Sequence, residues 1–169
     1  PIYQGIEEQA LQAGVGFWPG TSLPTGGPST HCVLTAHNGL VRAKMFTDLD
    51  QLVEGDTFSL SILDRVLTYE VDQILVTEPD EVDALQIVEG QDYVTLYTCT
   101  PYGVNTHRLL VRGHRIETPE NVNLGNGAVD IIRTQSGMTV LITLAVVGLL
   151  ILLFRIWRIF RARKKKQQT

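Results

Sequence analysis

Apolar and polar residues alternate along much of the first 117 positions with the period of a half-buried strand. Residues 31–36 form a short apolar run through Cys32, Val33, Leu34 and Thr35, closed by the turn pair Asn38-Gly39. Phe58, Leu60 and Ile62 alternate with Ser59 and Ser61. Beyond Asp64-Arg65, Leu67, Tyr69 and Val71 alternate with Thr68, Glu70 and Asp72, which predicts a hairpin over 57–63 and 66–76. Val94, Leu96 and Thr98 alternate with Thr95, Tyr97 and Cys99. Pro101, Gly103 and Asn105 then make a turn, and 106–111 returns as a strand. Helical spacing is confined to one turn over 7–12, ended by Gly14 and Gly16, and to 44–52, where Met45, Phe46, Leu49 and Leu52 recur. Residues 14–29 are rich in Gly, Pro, Thr and Ser and read as a loop. Short strands between turn signals predict a mainly β barrel or sandwich with one or two small helices.

The pattern changes after Val111. Residues 118–136 read as a linker. Residues 138–154 then carry no charge and are rich in Leu, Val and Ile; with Ile156 and Trp157 they approach the ~20 residues that span a bilayer. A buried core helix would share the apolar run but not its flanks, an interfacial Trp157 followed by a basic stop. The expected organisation is a body over 1–117, a linker over 118–136, a transmembrane helix over 137–157 and a basic tail over 158–169. Charge sharpens this. Seven of the 14 Lys and Arg lie between Arg155 and Lys166, and all 18 acids lie at or before Asp130. Residues 1–154, with seven cations against 18 acids, carry −11, and the tail carries +7. An acidic body argues against nucleic-acid partners. A basic end places the tail in the cytoplasm and the body outside the cell, on a single-pass C-terminal anchor. No signal peptide is visible from Pro1 onward.

Two cysteines rule out a disulfide-rich scaffold, and no C-x-x-C pair suggests zinc or thiol redox work. A Cys32–Cys99 disulfide would silence the more interesting thiol, and both are expected free. Cys99 lies at a strand end, His37 follows a strand exit, and Arg108 lies on the strand returning beside Cys99. A thiol, an imidazole and a cation are the parts of cysteine-based acyl transfer. The same residues also read plainly, as a small core hydrophobe, a turn histidine and a strand-edge arginine. His31, His107 and His114 read as ordinary strand or turn residues. Arg112 and Arg115 are the fallback cations. The acids Glu78, Asp80, Glu81 and Asp83 read as a solvated loop.

Thr95-Leu96-Tyr97-Thr98-Cys99 resembles the T-L-x-T-C motif of the sortases, cysteine transpeptidases of Gram-positive cell surfaces. Arg108, nine residues on, falls where that family keeps an essential arginine, and His37 in Thr35-Ala36-His37-Asn38-Gly39 falls where it keeps its histidine. Further segments are similar to the pilus-assembling class C subgroup: Gly20-Thr21-Ser22-Leu23-Pro24, residues 44–49, Tyr69-Glu70-Val71-Asp72, and residues 98–108. The resemblance implies a closed β-barrel of about eight strands. It also implies catalytic His37, Cys99 and Arg108, and cleavage of an LPXTG-type sorting signal between Thr and Gly through a thioacyl-Cys99. The acyl group would pass to an amine, a pilin lysine in pilus polymerisation or a peptidoglycan-precursor amine in cell-wall anchoring. The chemistry requires no metal or cofactor. Partners would be LPXTG-bearing surface proteins or pilins. Two departures stand out. Ala36 and Asn38 replace the Gly and Arg of the usual Gly-His-Arg-Gly, which keeps open an inactive, pilin-binding scaffold. The subgroup's N-terminal lid, with its Asp-aromatic anchor, is not seen from Pro1 onward.

Overall fold

Residues 31–35 are all buried, so each backbone N–H and C=O there needs a protein partner. Strands on either side supply them, and the sheet is built outward from this segment. The computed structural model describes residues 1–39, 43–119 and the backbone of 129–132. These fall in one compact unit, Pro1–Arg133; the expected span 137–157 and tail 158–169 fall in a second, Thr134–Thr169, outside the described residues. Among the described residues no helix is long and apolar enough to cross a membrane.

The elements are β1 (Ile2–Gln4), α1 (Glu8–Ala13), β2 (Val15–Phe17), β3 (Thr30–Thr35), β4 (Thr57–Ile62), β5 (Arg65–Thr77), β6 (Asp92–Thr100), β7 (His107–Ile116) and β8 (Val129–Ile132). They form one sheet in the order β1-β2-β3-β6-β7-β5-β4-β8. The β1–β2 and β3–β6 ladders are parallel, and the others are antiparallel. The fold is mainly β with few helices, as the alternation predicts. The sheet runs from β1 to β8 as a curled half-barrel; among the described residues no ladder joins these two edges into the closed barrel expected.

Both faces of the central strands are covered, which is why 31–36 reads as a continuous apolar run. Leu34, Leu96, Val111, Phe58 and Tyr69 lie in the large inner core. The alternate residues Val33, Tyr97 and Leu110 meet Trp18, Leu75, Ala84 and Leu85 on the outer face. Phe58 and Tyr69 are opposite each other in register and stack with centroids 5.6 Å apart. This stack needs Gly113: a Cβ there would lie 2.7 Å from Phe58 Cε1 and 2.9 Å from Tyr69 Cβ. A bulge in β5 between Val71 and Gln73 frees Asp72, whose carboxylate takes both Nε and Nη2 of Arg112 at 3.0 and 3.1 Å.

Several elements differ from expectation. Residues 44–52 are not an α-helix. Bonds run from residue i+3 back to i at Thr47–Lys44, Leu49–Phe46, Gln51–Asp48 and Leu52–Leu49, with a 3-10 turn only at Leu49–Gln51. Met45 has a left-handed φ of 42°, which interrupts any helix there. Phe46, Leu49 and Leu52 are still buried, because a three-residue repeat serves successive turns as well as a helix. The loop expected over 14–29 contains β2. The returning strand β7 runs to Ile116 because β5 is long enough to pair with it from Thr77 to Thr68. The segment expected as a linker contains β8, paired with β4. The hairpin turn falls at Leu63-Asp64, one residue earlier than expected.

His31 fixes the loop before β6 onto the sheet. Its Nδ1 lies 2.9 Å from the Gln86 carbonyl and its Nε2 2.7 Å from Thr95 Oγ1. A carbonyl only accepts, so Nδ1 carries the proton and Nε2 accepts from Thr95. Burial holds its pKa below the ordinary 6.5, with Arg112 adding in the same direction against the Gln86 carbonyl and Asp72.

Two outcomes follow from this packing. Gly113→Ala should lower unfolding free energy by about 1–3 kcal/mol in denaturant titration, through overpacking against the Phe58–Tyr69 stack. The neutral form of His31 is favoured by the fold. Its stabilisation is therefore full above pH 6.5 and lost as pH falls from there toward the lower folded value. The denaturation midpoint should drop across that window, and His31→Gln should flatten the drop.

Candidate active site

The β3–β6 register is constant, from Thr30 opposite Asp92 to Thr35 opposite Tyr97. Three bonds carry the pairing past the end of β3. The Ala36 N–H donates to the Tyr97 carbonyl at 3.3 Å, Thr98 Oγ1 donates to the Ala36 carbonyl at 2.8 Å, and Asn38 Nδ2 donates to the Cys99 carbonyl at 3.2 Å. His37 is thus held alongside Cys99, although 62 residues separate them in sequence. The turn is braced from behind: the Phe46 N–H donates to the His37 carbonyl at 3.2 Å, and the Gly39 N–H donates to Thr47 Oγ1 at 3.0 Å. Gly39 has φ 85°, and a Cβ there would meet Tyr102 Cε2 at 2.7 Å, so the Tyr102 ring of the β6–β7 loop lies directly against it.

On the other side, Cys99 is opposite Arg108 in the β6–β7 ladder, and Arg108 is opposite Thr77 in the β5–β7 ladder. Arg108 Nη1 donates to the Asn105 and His107 carbonyls at 3.0 and 2.9 Å. Burial raises the Tyr97 hydroxyl pKa, and the adjacent Arg108 guanidinium works against that rise. The structure brings His37, Cys99 and Arg108 to one end of three neighbouring strands. The fallback cations are engaged elsewhere. Arg112 is paired with Asp72 and lies over the Tyr93 ring at 4.3 Å; Arg115 lies over Tyr69 at 5.6 Å. His107 faces Glu78, with Nε2 3.3 Å from Oε1, and His114 lies 4.0 Å from Asp72.

The two thiols occupy opposite environments. Both are free. Cys32 is buried opposite Val94, and desolvation, with Asp92 adding to it, pushes its pKa up to about 12. Cys99 is only partly covered.

Among the described residues, the buried side-chain polar atoms without a hydrogen-bond partner are His37 Nε2, Asn38 Oδ1 and Thr77 Oγ1. Glu8 Oε1 is 3.8 Å from His37 Nε2, beyond hydrogen-bond reach. All three orphans flank the Cys99–Arg108 pair. Native structures rarely leave such groups unpaired, and a site that receives polar substrate atoms is one place where they persist. Thr77 was not visible as a site residue in the sequence, because only the β5–β7 register brings it beside Arg108. Asn38 was visible there only as a departure from the family's usual residue.

A free thiol, an imidazole and a guanidinium brought to one strand end are the parts that cysteine acyl transfer requires. The family follows from comparison. Residues 1–116 match the sortase domain, and the chain belongs to the sortase family. It is 30% identical over 130 residues to sortase SrtE1 of Streptomyces coelicolor, covering 69% of this chain and 37% of that protein. It is 26% identical over 123 residues to sortase A of Streptococcus agalactiae, covering 71% and 49%. The chain thus spans less than half the length of these relatives. Among solved structures, sortase C-1 of Streptococcus pneumoniae matches at 59% identity and a TM-score of 0.69, over 70% of this chain and 61% of that one. Sortase C-1 of Actinomyces oris matches at 57% and 0.68, over 70% and 65%. A further sortase C structure from Streptococcus pneumoniae, described as giving insight into pilin substrate specificity, matches at 51% and 0.69, over 72% and 62%.

Alkylation distinguishes the thiols. At neutral to mildly alkaline pH, iodoacetamide should modify Cys99 in the folded protein and leave Cys32 unmodified, as read by peptide mapping. Cys99→Ala should abolish labelling until denaturant is added.

Proposed function

We propose that this chain is a class C sortase: a membrane-anchored cysteine transpeptidase that cleaves an LPXTG-type sorting signal between Thr and Gly. It transfers the acyl group to an amine, in particular a pilin lysine. The observation that supports this best is the clustering of the orphan polar atoms around Cys99, with His37 Nε2 among them. Likeness to sortase C structures, one of them described with pilin substrate specificity, favours the pilin lysine over a cell-wall amine.

In this mechanism the Cys99 thiolate attacks the Thr carbonyl carbon. The C–S bond forms, and the oxygen takes the developing charge. Arg108, whose described partners are two backbone carbonyls and the Tyr97 hydroxyl rather than a carboxylate, keeps its full charge to hold that oxyanion. His37, as imidazolium, gives its proton to the leaving Gly amine, and the C–N bond breaks to leave a thioacyl enzyme. In the second half, neutral His37 takes a proton from the incoming amine as its nitrogen attacks the thioester carbonyl. The C–N bond forms, and thiolate leaves. The segment 137–157 anchors the body at the outer face of the membrane, and the tail 158–169 lies inside.

The test is incubation with an LPXTG peptide, followed by mass spectrometry of the intact protein. A thioester should appear on Cys99 and resolve when a lysine-containing pilin peptide is added. Cys99→Ala should remove the adduct entirely. His37→Ala and Arg108→Ala should each lower the rate by at least about 100-fold, the scale of general acid–base and oxyanion contributions. A wild-type protein that forms no thioester refutes the enzyme reading.

A further inference from the structure

We infer that Asn38 is the residue that receives the acceptor amine. This rests on the transpeptidase reading and goes beyond it, since that reading gives the acceptor no contact besides His37. Asn38 follows His37 directly at the strand exit. Its Nδ2 donates to the Cys99 carbonyl at 3.2 Å. A carbonyl cannot donate, so this bond fixes which end of the amide is which, and Oδ1 is the free end. Oδ1 is buried and has no partner among the described residues, and the adjacent His37 Nε2 is in the same condition.

The two orphans differ in what they need. His37 Nε2 serves as donor in the first half-reaction and acceptor in the second. Oδ1 is only ever an acceptor, so it requires an N–H or O–H from outside. A lysine acceptor attacks as the neutral amine, its ammonium proton left in solvent, with two N–H donors and one lone pair. His37 must take one proton, and a second N–H needs a carbonyl-type acceptor that holds the nitrogen while its lone pair turns to the thioester. Asn38 Oδ1 is that acceptor, and its clamp to Cys99 keeps it within one amide group's length of the nucleophile's own backbone. The nitrogen becomes cationic as it bonds to the carbonyl carbon, and charge-assisted hydrogen bonds are about twice as strong as neutral ones, so this contact favours the amine over water. The aliphatic stem has a surface as well. The Tyr102 ring, 66% exposed, lies against Gly39, next in sequence to Asn38. The donor peptide engages the opposite flank of Cys99, where Arg108 and Thr77 lie.

The step balances as written for aminolysis. The amine's proton goes to His37, the C–N bond forms, the C–S bond breaks, and Cys99 leaves as thiolate. Asn38 exchanges no proton.

The test partitions a preformed thioacyl enzyme between a lysine-containing peptide and water. The readouts are the ratio of amide to acid product and the acceptor KM, both normalised to thioester formed. Asn38→Ala loses donor and acceptor. Asn38→Asp keeps the acceptor oxygen and loses the clamp donor. Asn38→Ala should lower the amide-to-acid ratio about tenfold with a raised acceptor KM, the scale of one hydrogen bond to a charged group. Asn38→Asp should hold the ratio at or above the wild-type value. A purely structural clamp predicts instead that both variants fall together, and that result overturns the assignment. So does an unchanged ratio in Asn38→Ala. A wild-type protein that forms no thioester refutes the underlying transpeptidase reading, a failure distinct from any change in partition.

Discussion

The parallel ladder between β3 and β6 is the constraint on which the rest depends. Parallel strands require a long connection, and here it carries β4, β5 and the 3-10 turns at Leu49–Gln51 and Asp83–Leu85 between the two partners. Because side chains alternate with period two, a slip of one residue would turn His31, Val33 and Thr35 onto the wrong face. It would also carry His37 out of step with Cys99. Register is held by burial on both faces at once: Leu34 and Leu96 below, Val33 and Tyr97 above, all under 8% exposed. The chemistry at the strand ends is therefore placed by packing along the whole strand, and the polar bonds from Thr98 and Asn38 extend that placement where the ladder stops.

The same alternation separates the two thiols. Cys32 points into the inner core with Leu34 and Val94, where a thiolate would be desolvated and repelled by Asp92. Cys99 lies five residues along β6 from Cys32's partner Val94 and on the opposite face, at the partly open strand end. One inert and one accessible thiol have no route to an internal disulfide without unpairing the sheet, because the two side chains belong to different faces.

The sequence showed most of the sheet, because period-two alternation is local. The β4–β5 hairpin, β3, β6 and the start of β7 were readable from it. What it did not show depended on distant partners. The three-residue strands β1 and β2 are too short to display a period, and they exist because they pair with each other and with β3. The far half of β7 carries Arg112, Gly113, His114 and Arg115, a polar run whose strand character comes from β5 alongside. The spacing of Phe46, Leu49 and Leu52 suits an α-helix and a chain of 3-10 turns equally, and a left-handed Met45 decides between them. For the site, Cys99 and Arg108 were legible as a local hairpin pair, and the family motif singled out His37. Thr77 was not, since its place beside Arg108 exists only through the β5–β7 register.

Charge pairing explains why Arg108, rather than Arg112, has a cation to offer. Both lie on the same face of β7, four residues apart. The β5 bulge presents Asp72 to Arg112 in a two-pronged pair, and Tyr93 takes the guanidinium face, so its charge is locally neutralised. The residue that does stand opposite Arg108 is Thr77, which is uncharged and whose hydroxyl makes no bond among the described residues. Arg108 is oriented by backbone carbonyls and the Tyr97 hydroxyl, which fix its position without cancelling its charge. Arg108 thus remains a cation whose field is spent on no internal anion among the described residues. The pairing of Asp72 with Arg112 sets that difference.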